Sequence, residues 1–313
     1  MKAAVCDRYG PPEVLRIADV EAPVPAHDEI LVRIHASTVN SSDWYVRSGV
    51  RTSPLSVQVP FRLLVGLRRP RRRIIGLILS GEVVGVGRAV TRFRPGDRVW
   101  AFTKLRFGAY AEYACLKEDS SVAIAPVGVT HDEAAAIVYG GLMALHYLQR
   151  GGVRSGQRVL VYGASGAAGT AIVQLARHAG AEVTGVCSPG NAELVRSLGA
   201  VAVLDYTAVD APPAGATYDL VLDAVGKRRG SPLKDACRRA LAPGGSYVSV
   251  DDGTPGFAAA DLVALADLVE SGAIRAVIDR TYPLERIAEA HRYVETDHKR
   301  GNVVVTIARR AIA

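Results

Sequence analysis

The chain has few cysteines and no long apolar run. Its four cysteines are isolated from one another, at Cys6, Cys115, Cys187 and Cys237. This scatter favours neither a disulfide framework nor a paired-cysteine metal motif. No apolar stretch approaches the roughly 20 residues that a membrane-spanning helix needs, and the charges of Lys2, Asp7 and Arg8 leave no apolar signal-peptide core. These absences predict a protein of the reducing cytoplasm with no membrane partner.

Aromatic residues are also absent from the most basic part of the chain. The net charge is +7, and much of the excess lies in a cluster of six arginines: Arg62, Arg68, Arg69, Arg71, Arg72 and Arg73. Neither an aromatic platform nor a recognition-helix pattern accompanies the cluster, so nucleic acid is not expected as a partner and a solvated basic loop is the simpler interpretation. The alternative is that these arginines form a basic entrance to a binding site and attract a phosphorylated cofactor or a phosphopantetheine carrier protein.

The patterns that are present divide the chain in two. At 313 residues it exceeds one typical core, so two domains are expected. Short strand-like segments with Gly and Pro between them fill the sequence before residue 126. Thr130 and Glu133 then form a capping-box pattern ahead of a long helical run, and strands and helices alternate afterwards. Such alternation predicts a parallel sheet covered by helices on both faces.

A glycine turn lies in the middle of the alternating region. In residues 158–180 an apolar strand runs into Gly163, Gly166 and Gly169 and then into an apolar-periodic helix. Gly163 would allow the sharp turn, Gly166 would let backbone approach a pyrophosphate, and Gly169 would let the helix pack close to the strand. The strand before the turn and the strand at 182–187 after the helix favour a dinucleotide site over a packing turn.

Ordered motifs cover nearly the whole chain, at residues 9–15, 39–49, 81–87, 94–99, 108–113 and 284–305. With them the chain resembles the medium-chain dehydrogenase/reductase superfamily, in its zinc-free quinone oxidoreductase (zeta-crystallin-like) branch. The resemblance implies an α/β fold: a GroES-like β-rich catalytic domain of residues 1–125 and 280–313, plus a Rossmann domain with a doubly wound parallel sheet, residues 126–279. It leaves a homodimer open, because the chain between Asp252 and Asp261 is shorter than the stretch through which zeta-crystallin-like enzymes pair.

Two positions argue against a catalytic zinc. Zinc alcohol dehydrogenases of this superfamily carry a Cys where this chain has Asn40 and a His where it has Leu77. About three protein ligands are needed, and Leu supplies none. We therefore expect no metal. The string Tyr113 to Lys117 matches the Tyr-x-x-x-Lys pair of another reductase superfamily, but it lies in a strand-like segment, whereas that chemistry needs a helical turn.

Without zinc, the simplest reaction is hydride transfer to a quinone or an α,β-unsaturated carbonyl compound, with protein donors for the developing oxyanion. Asn40, Ser42 and Tyr45 are the candidate catalytic residues, and in the resembling quinone reductases the positions of Asn40 and Tyr45 lie beside the nicotinamide. Asp43 and Arg47 are four residues apart, a spacing that favours a structural ion pair.

Three departures from relatives leave other functions open. Arg51 stands where some relatives have Tyr, Ile78 where many have an acid, and Met143 where many have Thr. The proton donor that those relatives use is therefore missing. One alternative is a tailoring enoyl reductase that acts on a carrier-bound substrate, and another is a nucleotide-binding sensor that has lost catalysis.

NADPH is the expected cofactor, with NADH as the alternative. No acid follows the second strand of the nucleotide domain to bind the ribose 2′-hydroxyl of NADH, which favours NADPH. Relatives often carry an Arg that would pair with the 2′-phosphate of NADPH, and this chain has Gly190 at that position. The candidate cofactor-binding residues are Gly163, Ala164, Ser165, Gly166, Ala167, Ala168, Gly169, Ser188, Asn191, Tyr206, Ala224, Val225, Gly226, Val250, Asp251, Gly301 and Asn302.

Overall fold

The computed structural model describes residues 1–50, 55–226, 230–253 and 255–307. The chain divides into two compact units. The first unit comprises Met1–Val138, Ala258–Ala266 and Ile278–Ala313, and the second comprises Tyr139–Phe257 and Asp267–Val277.

The first unit is built mainly on antiparallel strands, with one parallel pair, β13 and β14. Its strands are β1 (Lys2–Cys6), β2 (Leu15–Asp19), β3 (Glu29–Val39), β4 (Ile78–Val86), β5 (Arg98–Phe102), β6 (Tyr113–Lys117), β7 (Val122–Ile124), β13 (Ile278–Pro283) and β14 (Asn302–Thr306). β1 and β2 form a two-stranded sheet, and the other seven form one sheet in the order β13-β14-β3-β4-β5-β7, with β6 also paired to β3.

Strand β3 organises that sheet. Its first half, Glu29–Arg33, pairs with β6, and its second half, from Ala36 to Val39, pairs with β14, while β4 covers its other edge. Ile30, Val32 and Ile34 on β3 are buried, as the alternating apolar pattern of the strand requires. The C-terminal strand therefore returns to the sheet of the first unit.

The second unit is a parallel sheet with helices between its strands. Its strands are β8 (Arg158–Tyr162), β9 (Glu182–Cys187), β10 (Ala202–Asp205), β11 (Tyr218–Asp223) and β12 (Leu241–Ser249), in the order β10-β9-β8-β11-β12. The helices of this unit are α4 (Ala167–His178), α5 (Ala192–Ser197) and α6 (Pro232–Arg239). The order reverses direction at β8, so right-handed crossovers place helices on both faces of the sheet and create a switch point at the carboxyl end of β8.

The remaining helices are α1 (Ser41–Ser48), α2 (Leu55–Val65), α3 (His131–Gly151), α7 (Ala259–Glu270) and α8 (Ile287–Glu295). The predicted capping box starts α3: the Thr130 hydroxyl accepts the Glu133 N–H at 3.2 Å, and the Glu133 carboxylate accepts the Thr130 N–H at 2.8 Å. The predicted fold class, a β-rich domain joined to a doubly wound parallel sheet, is confirmed.

Strands β7 and β13 and helix α2 were not predicted from the sequence, and α1 was implied only by the helical spacing of Asp43 and Arg47. In contrast, Tyr113 and Lys117 lie in strand β6, so the Tyr-x-x-x-Lys string is a coincidence, as expected. In the part of the chain that the structure describes, no helix is both long enough and apolar enough to cross a bilayer.

Candidate functional site

The glycine turn of the second unit follows β8 at the switch point. Gly163 has φ +81°, and a Cβ there would lie 2.6 Å from a methyl group of Val225. A Cβ on Gly169 would lie 2.1 Å from the Gly163 carbonyl oxygen, so α4 can pack against the turn only with glycine at that position. The N–H groups of Gly163 and Ala164 donate to the Val186 carbonyl at 3.1 and 2.9 Å, which fixes the turn beside β9.

Gly166 differs from the other two glycines. It is the N-cap residue of α4 in extended conformation, and a Cβ on it would meet only the Gly163 carbonyl oxygen, at 3.6 Å. The space above Gly166 is therefore open, and Gly166 has no side chain that could cap the first N–H groups of α4, at Ala167 and Ala168. Backbone donors at a helix N-terminus with an open approach fit a dinucleotide pyrophosphate.

Three further predicted cofactor residues meet at the ends of β9 and β10. The Asn191 side-chain amide donates to Ser165 Oγ and to Ser188 Oγ, each at 3.1 Å, so the glycine turn and the end of β9 are joined. The N–H of Tyr206 donates to the Cys187 carbonyl at 3.4 Å, and its side chain is 42% exposed. Burial and, second, the charge of Asp205 raise the pKa of the Cys187 thiol to about 11. This end of the sheet therefore presents hydroxyls and an amide together with the carboxylate of Asp205, which ends β10 beside Cys187.

The turn after β11 touches the glycine turn. Asp223 Oδ1 accepts the N–H groups of Val225 and Gly226, each at 3.0 Å, which shapes the Ala224–Gly226 segment. Gly226 has φ +72°, and a Cβ there would lie 2.5 Å from an Asp251 carboxylate oxygen. The Val250 N–H donates to the Asp223 carbonyl at 3.0 Å. The predicted residues at the ends of β8, β11 and β12 therefore form one continuous edge.

Sequence reasoning missed the group that stabilises this edge. Lys234 Nζ lies 2.6 Å from Asp223 Oδ2, and the Tyr247 hydroxyl donates to the same oxygen at 2.9 Å. The ammonium and the hydroxyl compensate the carboxylate, which is almost fully buried. Ser231 followed by Pro232 signals the start of α6, but the pairing of Lys234 with Asp223 depends on tertiary contacts and has no local signal.

The candidate catalytic residues lie in the first unit, at the start of α1. Asn40 is the N-cap residue and is only 3% exposed. Its Oδ1 accepts the N–H groups of Ser42 and Asp43 at 2.9 and 3.2 Å. Its Nδ2 has no hydrogen-bond partner among the residues that the structure describes. Ser42 and Tyr45, both half-buried, follow within the same helix.

The predicted Asp43–Arg47 ion pair is wrong, because the two side chains take different partners. Asp43 Oδ2 accepts the Asn40 N–H at 3.0 Å and completes the capping box, and burial raises the pKa of Asp43 to about 7. Arg47 forms an ion pair with Glu295 on α8 and donates to the Gly10 carbonyl. Arg47 and Glu295 are far apart in the sequence, so an argument from local helical spacing could not predict that they pair.

A buried histidine lies beside this arginine and was not singled out from the sequence. The His291 ring stands edge-on to the Tyr110 ring, with centroids 5.7 Å apart. Burial and, second, the Arg47 charge hold the pKa of His291 well below its usual range, so the ring is neutral. The cluster therefore contains one cation, Arg47, matched by Glu295.

The remaining predicted positions are as follows. Leu77 and Ile78 are buried apolar residues, and Met143 is 9% exposed in α3. Gly301 (φ +61°) and Asn302 lie in the first unit at the start of β14. Arg51 lies outside the described residues. Within residues 1–50, 55–226, 230–253 and 255–307, no group of three or more His, Cys, Asp or Glu side chains could hold a metal ion.

Family profiles match most of the chain. The profile described as alcohol dehydrogenase GroES-like domain matches residues 26–127, and two described as zinc-binding dehydrogenase match residues 167–275 and 253–305.

Curated relatives span almost the full chain. The mitochondrial NAD(P)H oxidoreductase RTN4IP1 of Mus musculus is 32% identical over 98% of this chain and 89% of its own length. The chloroplastic NADPH-dependent alkenal/one oxidoreductase of Arabidopsis thaliana is 30% identical over 97% of this chain and 79% of its own.

Solved structures share the fold. The quinone oxidoreductase from Coxiella burnetii superposes with a TM-score of 0.84 at 26% identity, covering 98% of this chain and 99% of its own. The mycobacterial protein Rv1454c, complexed with NADPH, superposes with a TM-score of 0.77 at 28% identity, covering 98% of this chain and 100% of its own.

Proposed function

Since the chain belongs to the medium-chain dehydrogenase/reductase superfamily, in its zeta-crystallin-like branch of NAD(P)-dependent oxidoreductases, we propose that it is a zinc-independent, NADPH-dependent reductase. Its substrate is a quinone or an α,β-unsaturated carbonyl compound. The Arabidopsis relative named NADPH-dependent alkenal/one oxidoreductase and the Coxiella quinone oxidoreductase support this substrate class.

The main support for the proposal is the amide nitrogen of Asn40. The Asn40 oxygen is engaged by two backbone N–H groups of α1, which fixes the orientation of the amide and leaves Nδ2 as a buried donor without a partner among the described residues. An unpaired buried N–H costs about 1–3 kcal/mol. A substrate oxygen that gains negative charge during reduction would satisfy it, and a preorganised donor of this kind stabilises the transition state.

Ser42 and Tyr45 are proposed to assist Asn40 in orienting the substrate. They are three residues apart in α1, so the two side chains lie on the same face of the helix. The reduction consumes one hydride and one proton. The proton comes from a group other than Asn40, because an amide does not release its protons at neutral pH.

The second unit is proposed to hold the cofactor. The pyrophosphate would bind at residues 163–169, on the N-terminus of α4. The adenosine half would contact Ser188, Asn191 and Tyr206. The nicotinamide half would lie along the edge formed by Ala224–Gly226, Val250 and Asp251. Gly301 and Asn302 of the first unit are the remaining proposed contacts. When bound, the dihydronicotinamide supplies the hydride.

Two residues support chemistry without zinc, although the matching profiles carry the words zinc-binding. Leu77 is buried and apolar, and Asn40 is committed to the α1 cap through its oxygen. Neither Leu nor a backbone-bonded amide oxygen is a typical zinc ligand.

Absorbance at 340 nm tests the proposal. The purified chain should oxidise NADPH when a benzoquinone or a short-chain enone is added, and the rate should be the same with and without EDTA. Absence of turnover with both substrate classes would refute the reductase function. NADPH binding without turnover would instead favour the nucleotide sensor that the sequence left open.

A further inference from the structure

Helix α2 exposes apolar side chains to an unusual degree. Leu55 is 74% exposed, Leu63 57% and Leu64 58%, and Val57 and Val59 are also exposed. At 100° per residue, Leu55 and Val59 lie on one side of the helix, while Val57 and Leu64 lie on the opposite side. Within α2 only Val65 is buried. Apolar side chains therefore surround the helix rather than forming one stripe.

Positive charge continues directly from this helix. The exposed arginines after α2 are Arg68, Arg69, Arg71, Arg72 and Arg73. The sequence contains no Asp or Glu between Asp43 and Glu82. Arg73 is paired with Asp7, and one Arg71 nitrogen donates to the Leu63 carbonyl. The segment consequently joins an apolar helix to a strongly basic surface.

We propose that residues 55–73 bind the surface of an anionic lipid bilayer. A helix of 11 residues is about half as long as a membrane span, so it would lie within the interface with its apolar side chains among the acyl chains. The arginines would contact lipid phosphates from the same segment. The sequence-based expectation of no membrane partner considered only spanning segments, and an interfacial contact needs none.

Other occupants fit less well. A symmetric interface with a second copy would bring the arginine runs of both chains together, and like charges repel. A groove on an acidic protein would cover one face of α2, whereas Leu55 and Leu64 point to opposite sides. A fluid acyl layer adapts to the exposed sides of the helix, that is, all but the side on which Val65 is buried in the protein.

Vesicle flotation tests the proposal independently of any reductase activity. The full chain should bind vesicles of 70% phosphatidylcholine and 30% phosphatidylglycerol, bind pure phosphatidylcholine far less, and release from the anionic vesicles when NaCl is raised. Leu63→Ser with Leu64→Ser should lower the partition coefficient on the order of 10-fold, and Arg68→Gln with Arg69→Gln should do the same.

Matched controls use exposed residues elsewhere in the first unit. Arg88→Gln removes one exposed arginine and Val24→Ser removes an 85% exposed apolar side chain, and both should bind vesicles like the parent. Unchanged thermal midpoints would show that the variants fold, and Val57→Ser with Val59→Ser provides a second apolar pair.

Three outcomes would overturn the proposal. The first is a parent protein that does not float with the anionic vesicles. The second is a stable dimer that the Leu63/Leu64 variant dissociates, which assigns α2 to a second copy. The third is saturable binding of an acidic acyl carrier protein in the absence of vesicle binding.

Discussion

Asn40 and Asp43 cap helix α1 reciprocally. The Asn40 amide oxygen accepts the Asp43 N–H at 3.2 Å, and the Asp43 carboxylate accepts the Asn40 N–H at 3.0 Å. The cap engages the oxygen of the Asn40 amide and leaves its nitrogen available, so structure and proposed chemistry depend on different atoms of one side chain. This separation makes the two roles experimentally distinguishable.

Asn40→Ser should separate them. Serine caps a helix about as well as asparagine, but it lacks the amide donor, so kcat for a quinone should fall about 10²- to 10³-fold while the free energy of unfolding stays close to that of the parent. Asn40→Ala should lose the same activity and a further ~1 kcal/mol of stability with the cap. Steady-state kinetics and urea denaturation measure both quantities. Full activity in Asn40→Ser would remove Asn40 from the reaction.

Gly166→Val should abolish dinucleotide binding without unfolding the protein. The added Cβ would meet only the Gly163 carbonyl, at 3.6 Å, so the fold tolerates it, but the side chain would occupy the space above the α4 N-terminus. Gly169→Ala is the matched contrast, because its Cβ would lie 2.1 Å from that same carbonyl and should destabilise the second unit. Calorimetric titration with NADPH and thermal unfolding would distinguish the two. Parent-like affinity in Gly166→Val would mean that the loop is a packing turn.

Local signals in the sequence predicted the elements that carry their own start and stop residues. Thr130 and Glu133 identified the start of α3, and the three glycines identified the turn between β8 and α4. Helix α2 was missed because it contains Pro60 and three valines and lacks apolar periodicity. Strand β13 was missed because its exposed residues, such as Arg280 and Thr281, show no apolar run.

The parts of the site that sequence reasoning could not predict depend on distant partners. Arg47 was assigned to Asp43 from their helical spacing, but its partner Glu295 comes from α8. Lys234 reaches Asp223 from the next helix along the chain. In both cases the desolvation of a buried charge selects the partner, and desolvation is a property of the folded core.

Asp43 should make stability fall as pH rises. Its pKa is about 7 in the folded chain because burial penalises the carboxylate, against 3.8 as its ordinary value. Between these values the folded state holds a proton that the unfolded state has released, so the free energy of unfolding declines from about pH 4 to about pH 7, by up to ~4 kcal/mol. Asp43→Asn should flatten this decline while still accepting the Asn40 N–H. Parallel pH curves of urea denaturation for parent and variant would contradict the assignment.

The protein should contain no stoichiometric zinc. Asn40 and Leu77 occupy positions where zinc alcohol dehydrogenases carry ligands, and the Leu77 side chain is apolar and buried. Elemental analysis of protein purified without chelator should give far less than one zinc per chain, and dialysis against EDTA should leave the thermal midpoint unchanged. One tightly bound zinc per chain would disprove this prediction.

The preference for NADPH over NADH should be present but modest. The hydroxyls and amide of Ser188, Asn191 and Tyr206 lie at the end of β9 and can bind a 2′-phosphate, but Asp205 ends β10 beside Cys187, and its carboxylate would repel that phosphate. The position that relatives fill with Arg is Gly190, in the 3₁₀ turn Pro189–Asn191. Gly190→Arg should tighten NADPH binding by about 1.5–3 kcal/mol, roughly 10- to 100-fold, and leave NADH nearly unchanged, because only NADPH carries the phosphate. Gly190→Gln, which adds length without charge, is the control and should give little gain. The Kd values of both cofactors, measured by calorimetry, test this prediction. If Gly190→Arg weakens the binding of NADPH and NADH equally, or if the parent prefers NADH, the adenosine half of the cofactor does not bind at the end of β9.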